Sequence, residues 1–544
     1  MKKQLYGYVE GLRHTKIKSI ENLYQYNTQP EYLADPELVC EMAAISHDIK
    51  RQLGVLIDRN GKIAFVIVGD AQGLFIPVIS DYVKQPGKLK GLRLIHTHLK
   101  NEALSRDDLT DLALLRLDYI AAICISPHGG MSDLIYSAHI LPYEGAEPYK
   151  ILEPIGSDKL NINCLSQILA IESELSRNNS MHRPVGGEEN AFLINAVSFN
   201  QKTELADADS SMIELAELCR TSSIKVVGTL IQKRKQIDPK YLVGKGKLSD
   251  IVIQAMQQHA TILVFDRELS PSQIRSIADF VEIKVIDRTQ LILDIFAKQA
   301  KSREGKYQVE LAQLEYILPR LITKNTAMSR LTGGIGGRGP GETKLEINRR
   351  RVREKISRLK KEIVKIRKQR DRQKALRNKK GLPVISIVGY TNAGKSTLLN
   401  TLTQSKILAE DKLFATLDPS SRRLRFPKDT EAIITDTVGF IQQLPKSLME
   451  AFNATLNELK DADIILHVID ISNPRYKQQK STVEDILKTL KLEHIPSLLV
   501  FNKIDIIDAA GFEDQWLLRQ GYMICATDKR TLKPLVDKLE KMIA

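Results

Sequence analysis

No apolar run in this chain of 544 residues approaches the roughly 18 that a membrane helix needs, so a spanning helix is excluded. Met1-Lys2-Lys3-Gln4-Leu5 is basic but leads into no apolar segment, and no secretory signal is expected. Cysteine is sparse: Cys40, Cys124, Cys164, Cys219 and Cys525 lie far apart and form no paired metal spacing. They read as free thiols in a reducing cytosol. A cytoplasmic monomer, in part membrane-associated, is the expectation. Acidic residues are also under-represented, 66 against 80 Lys and Arg, which leaves a net charge of +14. Residues 342–380 alone hold 18 basic and 5 acidic side chains, almost the entire excess. A charge run is usually a solvated helical face; one this one-sided favours an anionic partner. The remaining composition, 43% apolar and 27% charged, is that of a globular protein, and the length predicts three or four domains.

What is present is organised around Gly389-Tyr390-Thr391-Asn392-Ala393-Gly394-Lys395-Ser396-Thr397. An apolar run at 384–388 precedes it and a helical pattern follows, so strand, glycine loop and helix occur in the order a phosphate cradle requires. The glycines let successive N–H groups turn toward phosphate, and the helix N-terminus adds unpaired donors. Lys395 is expected to reach the β- and γ-phosphates and the Ser396 hydroxyl to bind Mg²⁺. Further along come Phe414-Ala415-Thr416, with Thr416 as second Mg²⁺ ligand, and Asp436-Thr437-Val438-Gly439. Asp436 would hold the Mg²⁺ through water, and Gly439 would offer its N–H to the γ-phosphate. Lys395, Thr416 and Gly439 are therefore the expected catalytic set. Asn502-Lys503-Ile504-Asp505 supplies a carboxylate for the two donors of guanine, which adenine lacks, and Cys525-Ala526 would support the base. The first four of these motifs, in this order, predict a guanine-nucleotide switch that binds GTP and GDP.

The predicted architecture is multidomain α/β: an extra N-terminal α/β domain at 1–185, a second α/β domain at 186–300, a basic helical hairpin at 301–380 and a P-loop domain at 381–544. In the first, a helix over 37–51 precedes strands at 53–58, 62–68 and 91–95. The last strand runs into His96-Thr97-His98, followed by Ser105 and Asp108. This arrangement resembles the zinc signature of JAB/MPN-type metallopeptidases, with two histidines and a carboxylate as ligands. It departs from that pattern in having six residues between His98 and Ser105 and no glutamate at the start of the 53–58 strand. A helix cap at Asp107-Asp108 accounts for the same residues without metal. Residues 173–187, rich in Ser, Asn, Arg and Gly, read as a linker.

In the second domain, strands at 193–197, 226–231, 262–265 and 283–286 alternate with helices at 212–219, 248–257 and 270–280, predicting a mostly parallel sheet. Two apolar seams follow, one at Tyr307, Leu311, Leu314, Leu318 and Leu321 and the other at Val352, Ile356, Leu359, Ile363 and Ile366. They predict an antiparallel hairpin whose first helix bends at Pro319. Its tip, Gly333-Gly334-Ile335-Gly336-Gly337-Arg338-Gly339-Pro340-Gly341-Glu342, reads either as a flexible connector or as a probe that offers bare backbone and Arg338 to RNA.

From about residue 191 onward, this order of parts, the glycine tip and Asp436-Thr437-Val438-Gly439-Phe440-Ile441 resemble the HflX family of ribosome-associated GTPases. The resemblance implies binding to the large ribosomal subunit and its RNA in the GTP state, and splitting or rescue of stalled ribosomes. A GTP-regulated assembly or RNA-remodelling factor is the alternative; a metal-dependent isopeptidase with a regulatory GTPase is a third reading. Phe440 stands where Ras-type enzymes carry a water-orienting glutamine, which predicts slow turnover without a partner. Asn392 matches the loop asparagine of potassium-dependent GTPases and implies K⁺ beside Mg²⁺.

Overall fold

The computed structural model describes residues 4–77, 79, 88–126, 130–142, 148–181, 189–199, 202–281, 283–321, 344–378, 382–403, 414, 420–427, 430–437, 439–441, 457–507 and 519–543. The chain divides into two compact units, residues 1–190 with 243–261, and 191–242 with 262–544.

The first unit is built on an eight-stranded sheet: β1 (Leu5–Gly7), β2 (Leu53–Asp58), β3 (Ile63–Val68), β4 (Leu92–His98), β5 (Tyr119–Ile125), β6 (Met131–Ile140), β7 (Tyr149–Ile151) and β8 (Ile155–Gly156). Its path is β1-β3-β2-β4-β5-β6-β7, with β8 on β6. The β2–β3 hairpin turns at Gly61, where a side chain would meet the Thr28 carbonyl at 1.6 Å. Helix α1 is His14–Asn22, and α2 (Pro36–Ile49) starts where Asp35 accepts from the Glu37 and Leu38 amides ahead of Pro36. Helix α3 (Arg106–Leu115) opens with a reciprocal capping box between Ser105 and Asp108.

Helix α4 spans Cys164–Met181, so the first part of the expected 173–187 linker is helical and the rest, from 182, lies outside the described residues. Ser, Asn and Arg are poor core residues, yet none of them breaks a helix; glycine and proline come only at Pro184 and after. The helix is held by Glu172, which accepts from Arg59 at 2.7 Å and from the Leu89 amide at 2.9 Å.

The second unit contains a four-stranded sheet of β9 (Glu189–Ser198), β10 (Ile224–Arg234), β11 (Ile262–Phe265) and β12 (Lys284–Asp287), in the order β10-β9-β11-β12. The pairs β9–β11 and β11–β12 are parallel. Its helices are α5 (Lys202–Thr221), α7 (Pro271–Phe280) and α8 (Arg288–Gln299). Helix α6 (Lys245–Gln257) instead clusters with the first unit, where Arg106 reaches Asp250 at 2.6 Å.

Helix α9 (Arg303–Ile317) ends in a 3₁₀ turn, Leu318–Arg320, that contains Pro319. It packs on α10 (Lys344–Asn378), and the ion pair Arg303–Glu362 together with the Arg349–Leu321 carbonyl bond gives the pair an antiparallel sense. Leu311 and Leu359 are buried in this seam, but Val309, Ala312 and Tyr316 are buried as well. They are covered because α9 also packs on α8, a second face that one seam did not reveal. The glycine-rich tip, 333–342, lies outside the described residues.

The last sheet comprises β13 (Val384–Gly389), β14 (Ser420–Arg425), β15 (Glu431–Asp436), β16 (Ile464–Asp470), β17 (Ser497–Asn502) and β18 (Tyr522–Met523). Its order is β14-β15-β13-β16-β17-β18, and only β14 pairs antiparallel. Strand β13 lies at its centre and is apolar on both faces, as a doubly covered parallel strand must be. Helices α11 (Lys395–Thr403), α12 (Tyr476–Thr489) and α13 (Lys529–Ile543) complete the domain.

Candidate functional site

The glycines at the C-terminal end of β13 are required by close approach. A Cβ on Gly389 would lie 2.3 Å from the Val468 carbonyl oxygen of β16. On Gly394, which has φ +90°, it would lie 2.2 Å from Asn502 Nδ2. Between them Asn392 takes a left-handed conformation, φ +62°, and is exposed, whereas Ala393 is buried and Thr397 half-buried. Lys395 opens α11 and is buried; its Nζ donates to the Tyr390 carbonyl at 2.6 Å. Burial pushes its pKa down to about 8 against the attraction of Asp436.

The neighbouring motifs close on this loop. The Ser396 hydroxyl donates to Asp436 Oδ2 at 2.6 Å, which brings together the hydroxyl and carboxylate that suit a hard divalent cation. Thr437 is pinned by its own hydroxyl to the Ile387 carbonyl at 2.7 Å. A side chain at Gly439 would lie 2.9 Å from Lys395 Nζ and 2.8 Å from Thr391 Cγ2, so the loop and the Asp436 motif meet there. Phe440 is buried, takes a hydrogen bond from the Thr391 amide at 2.7 Å, and donates its own N–H to Gly389 at 3.1 Å. It is a clamped apolar side chain with no means of orienting water.

On the base side, Asn502 Nδ2 donates to the Ala393 carbonyl at 2.8 Å, while its Oδ1 accepts the Ala526 N–H at 2.9 Å. The Ala526 N–H is thus engaged by a protein side chain in this structure. Asn502 takes it because that amide is the donor that satisfies a buried side-chain oxygen joining two loops. Cys525 donates its N–H to Thr531 Oγ1 at 3.0 Å. Lys503, φ +63°, pairs with Asp470 at 2.6 Å, and Asp505 follows in the turn after β17. Ala415, Thr416 and Val438 lie outside the described residues; Phe414 is buried, its ring 4.5 Å from that of Phe296 on α8.

One set of polar residues was not anticipated. The Tyr390 hydroxyl donates to Glu214 of α5 at 2.6 Å, and Glu214 also accepts from Arg288, which pairs with Asp266 at 2.8 Å. Burial would lower the Arg288 pKa, but the carboxylates of Glu214 and Asp266 prevail and raise it. No sequence spacing signals these partners, since Glu214 and Tyr390 are 176 residues apart.

In the first unit, His96, His98 and Asp108 converge at the end of β4 and the start of α3. The two Nε2 atoms are 3.0 Å apart, and each lies 3.3 Å from an Asp108 oxygen. His98 Nδ1 faces the Glu102 carbonyl at 3.1 Å, which leaves Nε2 for the cluster. Burial lowers the His98 pKa, but Asp108 outweighs it and the net shift is upward. All five cysteines are free.

Comparison with known proteins places these parts. Residues 209–297 match a family described as GTP-binding GTPase N-terminal, 299–377 its middle region, and 384–503 the 50S ribosome-binding GTPase family. GTPase HflX of Caldanaerobacter subterraneus is 47% identical over 354 residues, covering 65% of this chain and 80% of that one. GTPase HflX of Escherichia coli is 42% identical over 320 residues, 59% and 74% of the two chains. A crystal structure of a GTP-binding protein from Sulfolobus solfataricus in complex with GDP is 25% identical across 65% of this chain and 98% of its own, at a TM-score of 0.35. The eight-stranded sheet, β1 to β8, lies wholly before the matched ranges and belongs to an additional N-terminal region. From the matched parts and the motifs they contain, the chain belongs to the HflX family of GTPases and is a GTP hydrolase.

Proposed function

We propose that this GTPase binds the large ribosomal subunit in its GTP state and splits or rescues stalled ribosomes. The observation that carries the reading is α10, a 35-residue helix with nearly all the chain's excess positive charge, packed on α9 within the unit that holds the phosphate loop. A basic rod of that length suits a phosphodiester backbone, and the 50S-binding description of the matching family supports the large subunit as its source. Lys395, Thr416 and Gly439 act on the γ-phosphate, with Mg²⁺ held by Ser396, Thr416 and, through water, Asp436. The donor pair Ser396–Asp436 fits that ion. When bound, Mg²⁺ neutralises charge on the β- and γ-phosphates. K⁺ beside Asn392 is part of the same proposal, and identical turnover in K⁺ and Na⁺ would remove it. Sedimentation with separated subunits tests the whole reading. Large-subunit binding with a non-hydrolysable GTP analogue but not GDP, weakening as salt rises, is expected. Equal binding in both nucleotides rejects it, and preference for precursor particles favours an assembly factor.

A second reading concerns the additional N-terminal region, supported by the convergence of His96, His98 and Asp108. We infer that this region is a JAB/MPN-like module whose cluster takes a zinc-class divalent ion: two imidazoles and a carboxylate leave one position open. The general-base glutamate of a peptidase has no counterpart at the start of β2, so the ion is assigned no peptide hydrolysis. Elemental analysis of the purified chain should give about one zinc per molecule, lost in His98→Gln and Asp108→Asn. Zinc near zero, or zinc unaffected by both substitutions, rejects it.

A further inference from the structure

We propose that Glu214 is a positioning residue for the phosphate loop, acting through the hydroxyl of Tyr390. Tyr390 is the second residue of the loop and a junction of it. Its backbone bridges Phe440, its carbonyl accepts from Lys395, and its side chain leaves the nucleotide domain to meet α5. The Glu214 carboxylate is itself held from behind. Arg288, 4% exposed at the side chain, spans Glu214 and Asp266, and Asp266 takes further hydrogen bonds from Asn195 at 2.9 Å and Ser211 at 2.6 Å. Two carboxylates face one guanidinium, so the buried group carries a net negative charge. The Tyr390 hydroxyl is one of the donors that compensate it.

The consequence for nucleotide binding follows from Lys395. Its ammonium rests on the Tyr390 carbonyl, and with three donors it can hold that oxygen and phosphate oxygens together, so the position of Tyr390 sets that of the lysine. Glu214 is the side-chain anchor that keeps Tyr390, and with it the lysine, in register. An anchored loop is pre-organised for phosphate; without the anchor it pays for ordering at each binding event. The anchor touches no reacting atom, so it sets nucleotide residence and KM rather than the chemical step. By linkage, a bound nucleotide must in turn strengthen the Glu214–Arg288–Asp266 group.

The test uses the full chain and a fluorescent GDP whose release is followed by stopped flow, in Tyr390→Phe, Glu214→Gln and the double variant. Each single change should speed release by about tenfold, Tyr390→Phe by deleting the hydrogen bond and Glu214→Gln by removing the charge that strengthens it, and the double no further than Tyr390→Phe, because both act on one contact. In Glu214→Gln, which lies outside the phosphate loop, the kcat at saturating GTP should stay within about twofold of the parent while KM rises. Tyr390→Phe keeps ring and volume, so it serves even if Glu214→Gln destabilises the buried group. Unchanged release in Tyr390→Phe, additive effects in the double variant, or a kcat that falls with kcat/KM in Glu214→Gln would each overturn the proposal. No ribosome enters the assay, so its outcome is separate from that of the proposed ribosomal role.

Discussion

Asn502 and Ala393, 109 residues apart, are joined by a hydrogen bond of 2.8 Å from the side-chain amide of one to the backbone carbonyl of the other. The contact ties the base-reading loop to the phosphate loop, and the Ala526 amide completes it on the opposite side. Asn502 is thus a brace between loops, buried at 2% exposure, and both ends of its amide are used.

Substituting Asn502→Ala leaves the Ala393 carbonyl and the Ala526 amide without that partner. The two losses, at about 1–3 kcal/mol for a buried unmet group, should weaken GDP and GTP alike by at least tenfold. Calorimetric titration of both nucleotides measures it. A selective loss of one nucleotide would contradict a brace and indicate a contact to the γ-phosphate region.

Asp505→Asn exchanges one acceptor oxygen for a donor. Guanine presents two donors to that position, xanthine one donor and one acceptor, so the preference should turn from guanosine to xanthosine nucleotides. Competition between GDP and xanthosine diphosphate is the readout. Retained preference for GDP would show that Asp505 does not face the base.

Lys395 predicts a proton linkage. The free protein holds its pKa near 8, against an ordinary value of about 10.4 in an open chain. Up to about pH 8 the ammonium is charged in both the folded and unfolded states, and the burial cost is paid in full; it fades as pH rises through the range between the two values. Phosphate should restore the charge, so binding takes up protons increasingly from pH 7 to 9. Binding enthalpies in two buffers of different ionisation enthalpy give the uptake. A flat profile would mean that the lysine stays charged in the free protein.

His467 sits inside β16, 2% exposed, and burial together with the positive charges of Lys480 and Lys395 pushes its pKa down to about 3. The unfolded chain binds this proton at its ordinary pKa and the folded chain does not. Stability should therefore fall as pH drops below the ordinary histidine value, by about 1.4 kcal/mol per unit from this group, and level off near the folded value. Denaturant titrations at pH 7 and 5 should show a smaller loss in His467→Leu than in the parent chain. Equal losses would assign the acid sensitivity elsewhere.

Local patterns were readable along the chain because their chemistry is contiguous. Nine successive residues make the phosphate loop, apolar runs located β2, β3 and β13, and two seams of heptad-like spacing located the α9–α10 pair. The linker expected at 173–187 is helical up to Met181, a miss that lies in composition: polar residues mark exposure, and an exposed helix face looks the same as a loop. His96 and His98 were visible as a pair, whereas their convergence with Asp108 needed the turn from β4 into α3.

By itself, then, the sequence determined the nucleotide chemistry, the basic rod and the α/β class, since each depends on residues within one turn, strand or helix of one another. Only the tertiary structure decided that Tyr390 answers to Glu214, that Phe414 rests on Phe296, and that Ala526 donates to Asn502. Those pairings join residues 24 to 176 positions apart. They are set by which surfaces hydrophobic burial brings together, and burial is non-directional: it leaves no spacing in the chain from which a partner can be read.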